Sequence, residues 1–152
     1  MPVTTETIKA LRDATGVSVM ECKKALEGAG GDMQKAIAIL KERSEGMVLK
    51  KSDRTLAAGT VAAYVHNTAQ VGAMIVLSCE TDFVAKNEAF VALARDIAMH
   101  ISAMQPADKA ELMAQQYIKD PSKTIEGLLN EATQKFGERV DIGGFERFSV
   151  KA

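Results

Sequence analysis

Apolar side chains in the first 45 residues recur at helical spacing, in three short runs separated by capping and turn residues. The second run has the i, i+3, i+4, i+7 pattern of an amphipathic helix, on Cys22, Ala25, Leu26 and Ala29. Ser18 and Asp32 occupy the expected N-cap positions of the second and third helices. The pattern predicts a three-helix domain over residues 1–45, whose third helix is broken by the Ser-Glu-Gly sequence at 44–46.

Residues 46–58 carry a run of charged side chains instead of an apolar stripe: Lys50, Lys51, Asp53 and Arg54. Such runs are usually solvated faces, so they do not indicate a binding patch. We therefore expect a linker, or a solvated extension of the third helix, before a second domain over residues 59–152.

From residue 59 the helical period gives way to a strand pattern. Residues 60–65 and 71–79 are rich in β-forming side chains, and the turn-like stretch 66–70 separates them. The helical period returns after residue 83, with an apolar stripe on Phe90, Leu93, Ala94, Ile97 and Ile101. The pattern predicts an antiparallel hairpin followed by one long helix.

The last third of the chain begins with a weak helical pattern over 107–119. Asp120-Pro121 then predicts a helix start, because an N-cap is followed by proline at the first helical position. The apolar stripe of this helix ends at Gly137 and comprises Ile125, Leu128, Leu129, Ala132 and Phe136. Residues 140–150 predict a final strand, with a bulge or bend at Gly143-Gly144.

Together the elements predict an α+β protein, in which an N-terminal three-helix module precedes a three-stranded antiparallel sheet covered by helices. Three strands cannot close into a barrel. The edges of the sheet therefore remain available for pairing with another chain.

The composition is that of a globular protein, with 47% hydrophobic and 26% charged residues among 152. Its 19 basic and 20 acidic residues leave a net charge of -1, which offers no electrostatic basis for direct nucleic-acid binding. No apolar run approaches the ~20 residues of a membrane span, and the N-terminus lacks the features of a signal peptide. We therefore expect a cytoplasmic protein, with Cys22 and Cys79 as reduced thiols.

No group of residues suited to catalysis emerges from the sequence. His66 is predicted in a hairpin turn and His100 on the polar side of a helix, and neither has a neighbouring nucleophile or carboxylate pair. The glycines within 28–31 lie between two helices, so they form a turn and not a phosphate-binding loop. We expect no enzyme activity, no cofactor and no metal site.

The corner Thr81-Asp82-Phe83-Val84 places an acid beside an aromatic where the second strand gives way to a helix. Two interpretations are open. Phe83 could fold into the core while Asp82 caps the helix, or a rigid corner could display both side chains to a partner. Met20 lies among charged residues on the polar face of the second helix. It could be an adaptable contact for a partner or a single scattered apolar residue.

Two long motifs carry a resemblance to a known family. The stretch TGVSVMECKKAL at 15–26 and the stretch CETDFVA at 79–85 resemble the two signatures of elongation factor Ts. Further matches are YVHNT at 64–68, followed by Val71-Gly72, and KDPSKT at 119–124. The resemblance covers nearly the whole chain in order.

The resemblance implies a guanine-nucleotide exchange factor for elongation factor Tu, the GTPase that carries aminoacyl-tRNA to the ribosome. The helical module would be a ubiquitin-associated-like domain that docks on the nucleotide-binding domain of the GTPase. Leu11, Val19 and Met20 would supply part of that contact.

The resemblance also assigns a role to the corner. Asp82 and Phe83, flanked by Thr81 and Val84, would form a wedge that enters the GTPase and disturbs its magnesium and phosphate site. An exchange factor of this kind performs no chemistry of its own.

The sequence departs from the longer members of the family. No second core half follows Val150, and the segment 106–117 is shorter than the helical extension usual there. Short members pair two chains, so we expect a homodimer through the core module. Two other functions remain as alternatives: an adaptor whose helical module binds proteins without exchange activity, and a thiol enzyme using Cys22 or Cys79, for which the sequence supplies no base.

Overall fold

The computed structural model describes residues 2–151, which form two compact units. The first unit comprises the chain up to Ser52 together with Asn130–Gly137, and the second comprises Asp53–Leu129 and the chain from Glu138 onward. As predicted, the protein is α+β, with N-terminal helices followed by an antiparallel sheet packed against helices.

The first unit contains three consecutive helices: α1 (Thr5–Thr15), α2 (Val19–Gly28) and α3 (Met33–Lys51). Side-chain oxygens of Thr4, Ser18 and Asp32 accept hydrogen bonds from backbone amides in the first turns, so each helix has a local start signal. The apolar faces of the three helices meet in one core, formed by Leu11, Val17, Cys22, Ala25, Leu26, Ala36 and Leu40.

The third helix does not end at residues 44–46, so that prediction was wrong. The hydroxyl of Ser44 donates to the carbonyl of Lys41 at 2.8 Å, a bond made within the helix. Gly46 does not take the left-handed conformation that ends α1 at Gly16 (φ 72). A glycine inside a helix costs about 1 kcal/mol, which the helix tolerates. Half of the predicted linker is therefore a helical extension.

The second unit is built on a three-stranded antiparallel sheet in the order β1-β2-β5. Its strands are β1 (Ala58–Val65), β2 (Val71–Cys79) and β5 (Asp141–Ser149). Two helices follow β2: the single turn α4 (Asp82–Ala85) and the long helix α5 (Glu88–Met104). Alternate residues of β2 are buried, as are Phe90, Ala94, Ile97 and Ile101 of α5, which packs against β1 and β2. The sequence predicted these strands and the long helix correctly.

A bulge interrupts the pairing of β2 with β5, as the Gly143-Gly144 sequence predicted. The register changes from Val76 opposite Gly144 to Leu77 opposite Ile142, so Gly143 is the extra residue. A Cβ at Gly143 would lie 2.8 Å from the Ser78 hydroxyl oxygen and 3.0 Å from a Val76 methyl carbon. Glycine is therefore the residue that fits this close approach.

The segment before the last helix differs from the prediction. Only α6 (Lys109–Ala114) is helical there, and β3 (Gln116–Tyr117) pairs with β4 (Asp120–Thr124) in a second, two-stranded sheet. The Asp120 carboxylate accepts from the amide and hydroxyl of Ser122, so it organises a turn instead of a helix. The helix α7 (Ile125–Phe136) begins later, where the Thr124 hydroxyl oxygen accepts from the amide of Gly127.

His100 does not lie on a polar helix face, as the sequence suggested, but is fully buried. Its Nδ1 accepts from the amide of Ile118 at 3.1 Å, so the ring proton is on Nε2, 2.9 Å from Oε1 of Gln115. Burial lowers the pKa of this imidazole from 6.5. His100 is therefore a neutral structural residue that ties α5 to the segment after α6.

Candidate functional site

The corner between β2 and α5 is the most prominent feature of the second unit. The Thr81 hydroxyl oxygen accepts from the amide of Val84, so Thr81, and not Asp82, is the N-cap of α4. Asp82 is exposed and begins the helical turn. The Phe83 side chain is 86% exposed, which excludes the interpretation that it folds into the core.

Two residues of the same turn face inward. Val84 is 5% exposed and Ala85 is 7% exposed, so they anchor the turn against the body of the unit. Val84 was predicted as part of the contact surface, but its side chain is buried in the free protein. The turn thus buries one side while it holds an acid and an aromatic ring in solvent.

Hydrogen bonds from a distant carboxylate hold the chain just before this turn. Oε1 of Glu138 accepts from the backbone amides of Glu80 at 3.0 Å and Thr81 at 2.9 Å, and its Oε2 accepts from the Thr81 hydroxyl at 2.6 Å. The Glu80 carboxylate accepts in turn from the amide of Arg139 at 2.6 Å. We call this reciprocal pair of contacts the Glu80–Glu138 clasp.

The sequence does not predict the clasp. Its partners are 57 to 59 residues apart, and no local pattern connects them. The only local cue is Gly137, which ends α7 in the left-handed conformation (φ 71) and directs the chain out of the helix.

Both cysteines are buried and free. Burial is the main cause that raises the pKa of each thiol, and at Cys79 the negative charge of Glu138 raises it further. The Cys79 thiol donates to the carbonyl of Thr81 at 3.3 Å, within the corner. A buried thiol with a raised pKa is a poor nucleophile, so neither cysteine is suited to thiol chemistry.

In the helical unit, the three predicted contact residues separate into two groups. Met20 is 66% exposed and Val19 is 49% exposed, side by side in the first turn of α2. Leu11, also predicted as a contact, is 0% exposed and belongs to the core of the three helices. Its apolar side chain supports the fold and leaves no surface for a partner.

One face of the three-stranded sheet is apolar and exposed. Residues paired directly across strands share a face, and Val61, Val76 and Gly144 form one such row. The exposed large apolar side chains of β1, β2 and the end of β5 are Val61, Val65, Met74, Val76, Phe148 and Val150. The helix α5 packs on the sheet through the residues that alternate with these.

Among residues 2–151 no cluster of three or more histidine, cysteine or acidic side chains could hold a metal ion. In the same part of the chain, every helix is too short or too polar to cross a bilayer.

The chain combines a helical module with a helix-covered sheet, and it holds an aromatic ring in solvent at a capped turn. These features are typical of a class of proteins that work by binding a partner. The profile of a family described as Elongation factor TS matches residues 3–106 and 80–152. The chain belongs to the elongation factor Ts family. It is a nucleotide exchange factor for elongation factor Tu in translation elongation, and it is not an enzyme.

Individual relatives match along most or all of their length. The chain is 40% identical to elongation factor Ts of Leptospira biflexa over 195 positions, which cover 99% of this chain and 98% of the relative. It is 38% identical to that of Acetivibrio thermocellus, covering 96% and 89%, and 34% identical to that of Desulfotalea psychrophila, covering all of both. Because 195 aligned positions exceed 152 residues by 43, the Leptospira protein has at least 43 positions without a counterpart here.

Proposed function

We propose that this chain releases GDP from elongation factor Tu by inserting the corner of Asp82 and Phe83 next to the bound nucleotide. The observation that carries the proposal is the exposure of Phe83, 86%, on a turn whose next two residues are buried. A rigid turn positions a contact side chain with little loss of freedom on binding.

The energy available from Phe83 matches the task. Burying an aromatic side chain of 150–250 Å² with 86% of it initially exposed is worth roughly 3–5 kcal/mol at ~25 cal/mol per Å². Each tenfold loss of nucleotide affinity requires about 1.4 kcal/mol of differential binding. The coupling is reciprocal, so only contacts stronger in the nucleotide-free GTPase contribute to exchange.

Asp82 is proposed to fix the approach of the corner. Its exposed carboxylate can accept hydrogen bonds from backbone amides of the GTPase. A negative charge entering beside a site that holds magnesium and phosphates would also disfavour the phosphates. Asp82 therefore need not bind the metal to weaken the nucleotide.

The helical unit is proposed to dock on the nucleotide-binding domain of the GTPase, in the manner of ubiquitin-associated domains. Val19 and Met20 supply the contact, because they form an exposed apolar pair at the start of α2. A flexible methionine adapts its shape to a partner surface. We also propose that the protein works in the cytoplasm, with its GTPase.

The wedge is tested by stopped-flow release of a fluorescent GDP from elongation factor Tu, with wild type and Phe83→Ala. We expect Phe83→Ala to reduce the acceleration roughly 30-fold, the equivalent of ~2 kcal/mol for an interface hot spot. Leu49→Ala is the matched control, since Leu49 is 77% exposed on α3, and it should leave exchange unchanged. Both variants should unfold at the wild-type temperature.

Two outcomes would contradict the wedge. Full exchange activity of Phe83→Ala would remove Phe83 from the mechanism. A chain that binds the GTPase without changing GDP release would instead favour an adaptor.

We further propose a homodimer formed through the exposed face of the three-stranded sheet. Its apolar rows would be covered by the same face of a second chain, which is self-complementary in a two-fold pair. Strands of eight residues with a rise of ~3.3 Å per residue, set ~4.8 Å apart in a three-stranded sheet, present a projected area of about 400 Å² per chain. Two such faces bury about 800 Å² in total, less than the ~1,200–2,000 Å² of stable interfaces, so the dimer should be weak and dissociate on dilution.

Sedimentation of wild type and Met74→Lys tests this interface. Met74 lies in the middle of the exposed face, directly opposite Glu146, so a lysine there gains a cross-strand ion pair within one chain. In a dimer the same charge would be buried, which is costly. We expect a concentration-dependent dimer for wild type and a folded monomer for Met74→Lys. A wild-type monomer at high micromolar concentration would refute the proposal.

A further inference from the structure

We propose that Glu138 is a positioning residue that sets the direction in which Asp82 and Phe83 project. This inference rests on the proposed wedge, because a positioning role has meaning only if the corner acts on a partner. The Glu80–Glu138 clasp and its connection to α4 give Glu138 this role.

A continuous chain of hydrogen bonds runs from Glu138 into the turn. A threonine hydroxyl has one proton, and Thr81 donates it to Oε2 of Glu138 at 2.6 Å. The lone pairs of the hydroxyl are then directed away from Glu138, and one of them accepts from the amide of Val84 at 3.4 Å. Glu138 thereby orients the group that caps α4, the turn that carries Phe83.

The clasp also closes on itself. Glu138 holds two successive amides before the turn, and the Glu80 carboxylate holds the amide that follows Glu138. Arg54 Nη1 donates to the other Glu80 oxygen at 3.2 Å, and Arg139 Nη1 donates to the Arg54 carbonyl at 2.8 Å. Each carboxylate therefore fixes the backbone that carries the other. The result is a rigid base at the ends of β2 and β5.

The clasp should contribute more to the direction of the corner than to the stability of the chain. Thr81 is exposed, so water can satisfy its amide and hydroxyl if the Glu138 carboxylate is removed. Val84 and Ala85 remain buried and continue to hold the turn to the unit. Loss of Glu138 should therefore affect the direction of the corner more than the folding of the chain.

The expected effect is a loss of affinity for the nucleotide-free GTPase. Fixing the backbone of a freed residue again on binding has an entropic cost of about 1–2 kcal/mol. We expect Glu138→Ala to require about tenfold more exchange factor for half-maximal GDP release, with the maximal rate reduced less. Glu138→Gln keeps an acceptor for both amides, and its NH2 group can donate to the Thr81 hydroxyl oxygen in place of accepting from it, so it should recover most of the affinity.

The experiment is a double-mutant cycle with Phe83, measured by GDP release over a range of exchange-factor concentrations. If Glu138 acts through the corner, Glu138→Ala should have little effect in the Phe83→Ala background. Glu42→Ala is the matched control, because it removes an exposed glutamate from α3 without touching the clasp. Thermal unfolding of each variant reports stability separately.

The outcomes distinguish this inference from the wedge itself. Normal exchange by Phe83→Ala refutes the wedge. If Phe83→Ala loses exchange but Glu138→Ala does not, the wedge stands and the positioning role is refuted. Equal, additive losses in both backgrounds, or equal losses for Glu138→Ala and Glu138→Gln, also overturn the positioning role.

Discussion

Replacement of His100 by leucine tests the hydrogen bonds of a fully buried polar side chain in the second unit. Nδ1 of His100 accepts from the amide of Ile118 at 3.1 Å, and Nε2 pairs with Gln115 at 2.9 Å. The leucine variant leaves a partly buried amide without its partner, at about 1–3 kcal/mol, and removes a second hydrogen bond of about 1 kcal/mol. Gln115 stays attached through its bond to the Met104 carbonyl, which limits the damage. We expect a loss of roughly 2–3 kcal/mol.

The pH dependence of that loss follows from the direction of the pKa shift. Burial lowers the pKa of folded His100 below 6.5, whereas the unfolded chain takes up the proton near 6.5. The unfolded state therefore binds more protons below this pH, and the stability contributed by His100 falls as the pH falls. Leucine does not titrate, so the stability of the variant lacks this pH dependence. Its deficit relative to wild type should shrink by up to about 1.4 kcal/mol for each pH unit below 6.5.

Urea unfolding of both proteins at pH 7.5 and pH 5.5 measures the effect, and amide exchange at Ile118 locates it. In thermal unfolding at neutral pH, the melting temperature of the variant should be roughly 4–12 °C lower, since each kcal/mol lowers it by about 2–4 °C. A deficit that is constant or larger at pH 5.5 would refute the assignment of His100 as a neutral buried residue.

Three further predictions concern other parts of the chain. Leu11→Ala should lose about 2–5 kcal/mol of stability in urea unfolding, because the side chain is fully buried. Met20→Ala should unfold like wild type but weaken binding to the GTPase in titration calorimetry. The reverse pattern would make Leu11 the contact residue. Gly143→Val should shift the ends of β2 and β5 and lower the melting temperature, since its Cβ would meet Ser78 at 2.8 Å, and an unchanged melting temperature would contradict the bulge. Both thiols should react with iodoacetamide at neutral pH only after unfolding, because they are buried with raised pKa values; rapid labelling of the native protein would disprove this.

Errors in the sequence interpretation occurred where a local signal had two uses. Asp120-Pro121 resembles a helix start, but the Asp120 side chain bonds to Ser122 two residues later, and the segment pairs with β3. The Ser-Glu-Gly sequence at 44–46 resembles a helix end, yet the helix continues to Lys51. In both cases the preference of a few residues is about 1 kcal/mol, which neighbouring hydrogen bonds and helix continuation easily override.

Burial divides the predicted contact residues into exposed and supporting side chains. Leu11 and Val84 were placed on the partner surface through the family resemblance, and both are buried. A motif residue can be required for the fold beneath a contact as well as for the contact. Only the packing of neighbouring elements distinguishes the two roles.

The sequence by itself determined the order and type of the main elements, because the apolar period that specifies a helix or a strand is local. It also determined the family, through two long motifs, and with them the unusual pairing of Asp82 with Phe83. The tertiary structure decided that Phe83 lies in solvent and that Val84 holds the turn from beneath. It also brought Glu138 to that turn from 57 residues away. Contacts between distant segments depend on how the elements pack, and no local pattern in the chain encodes them.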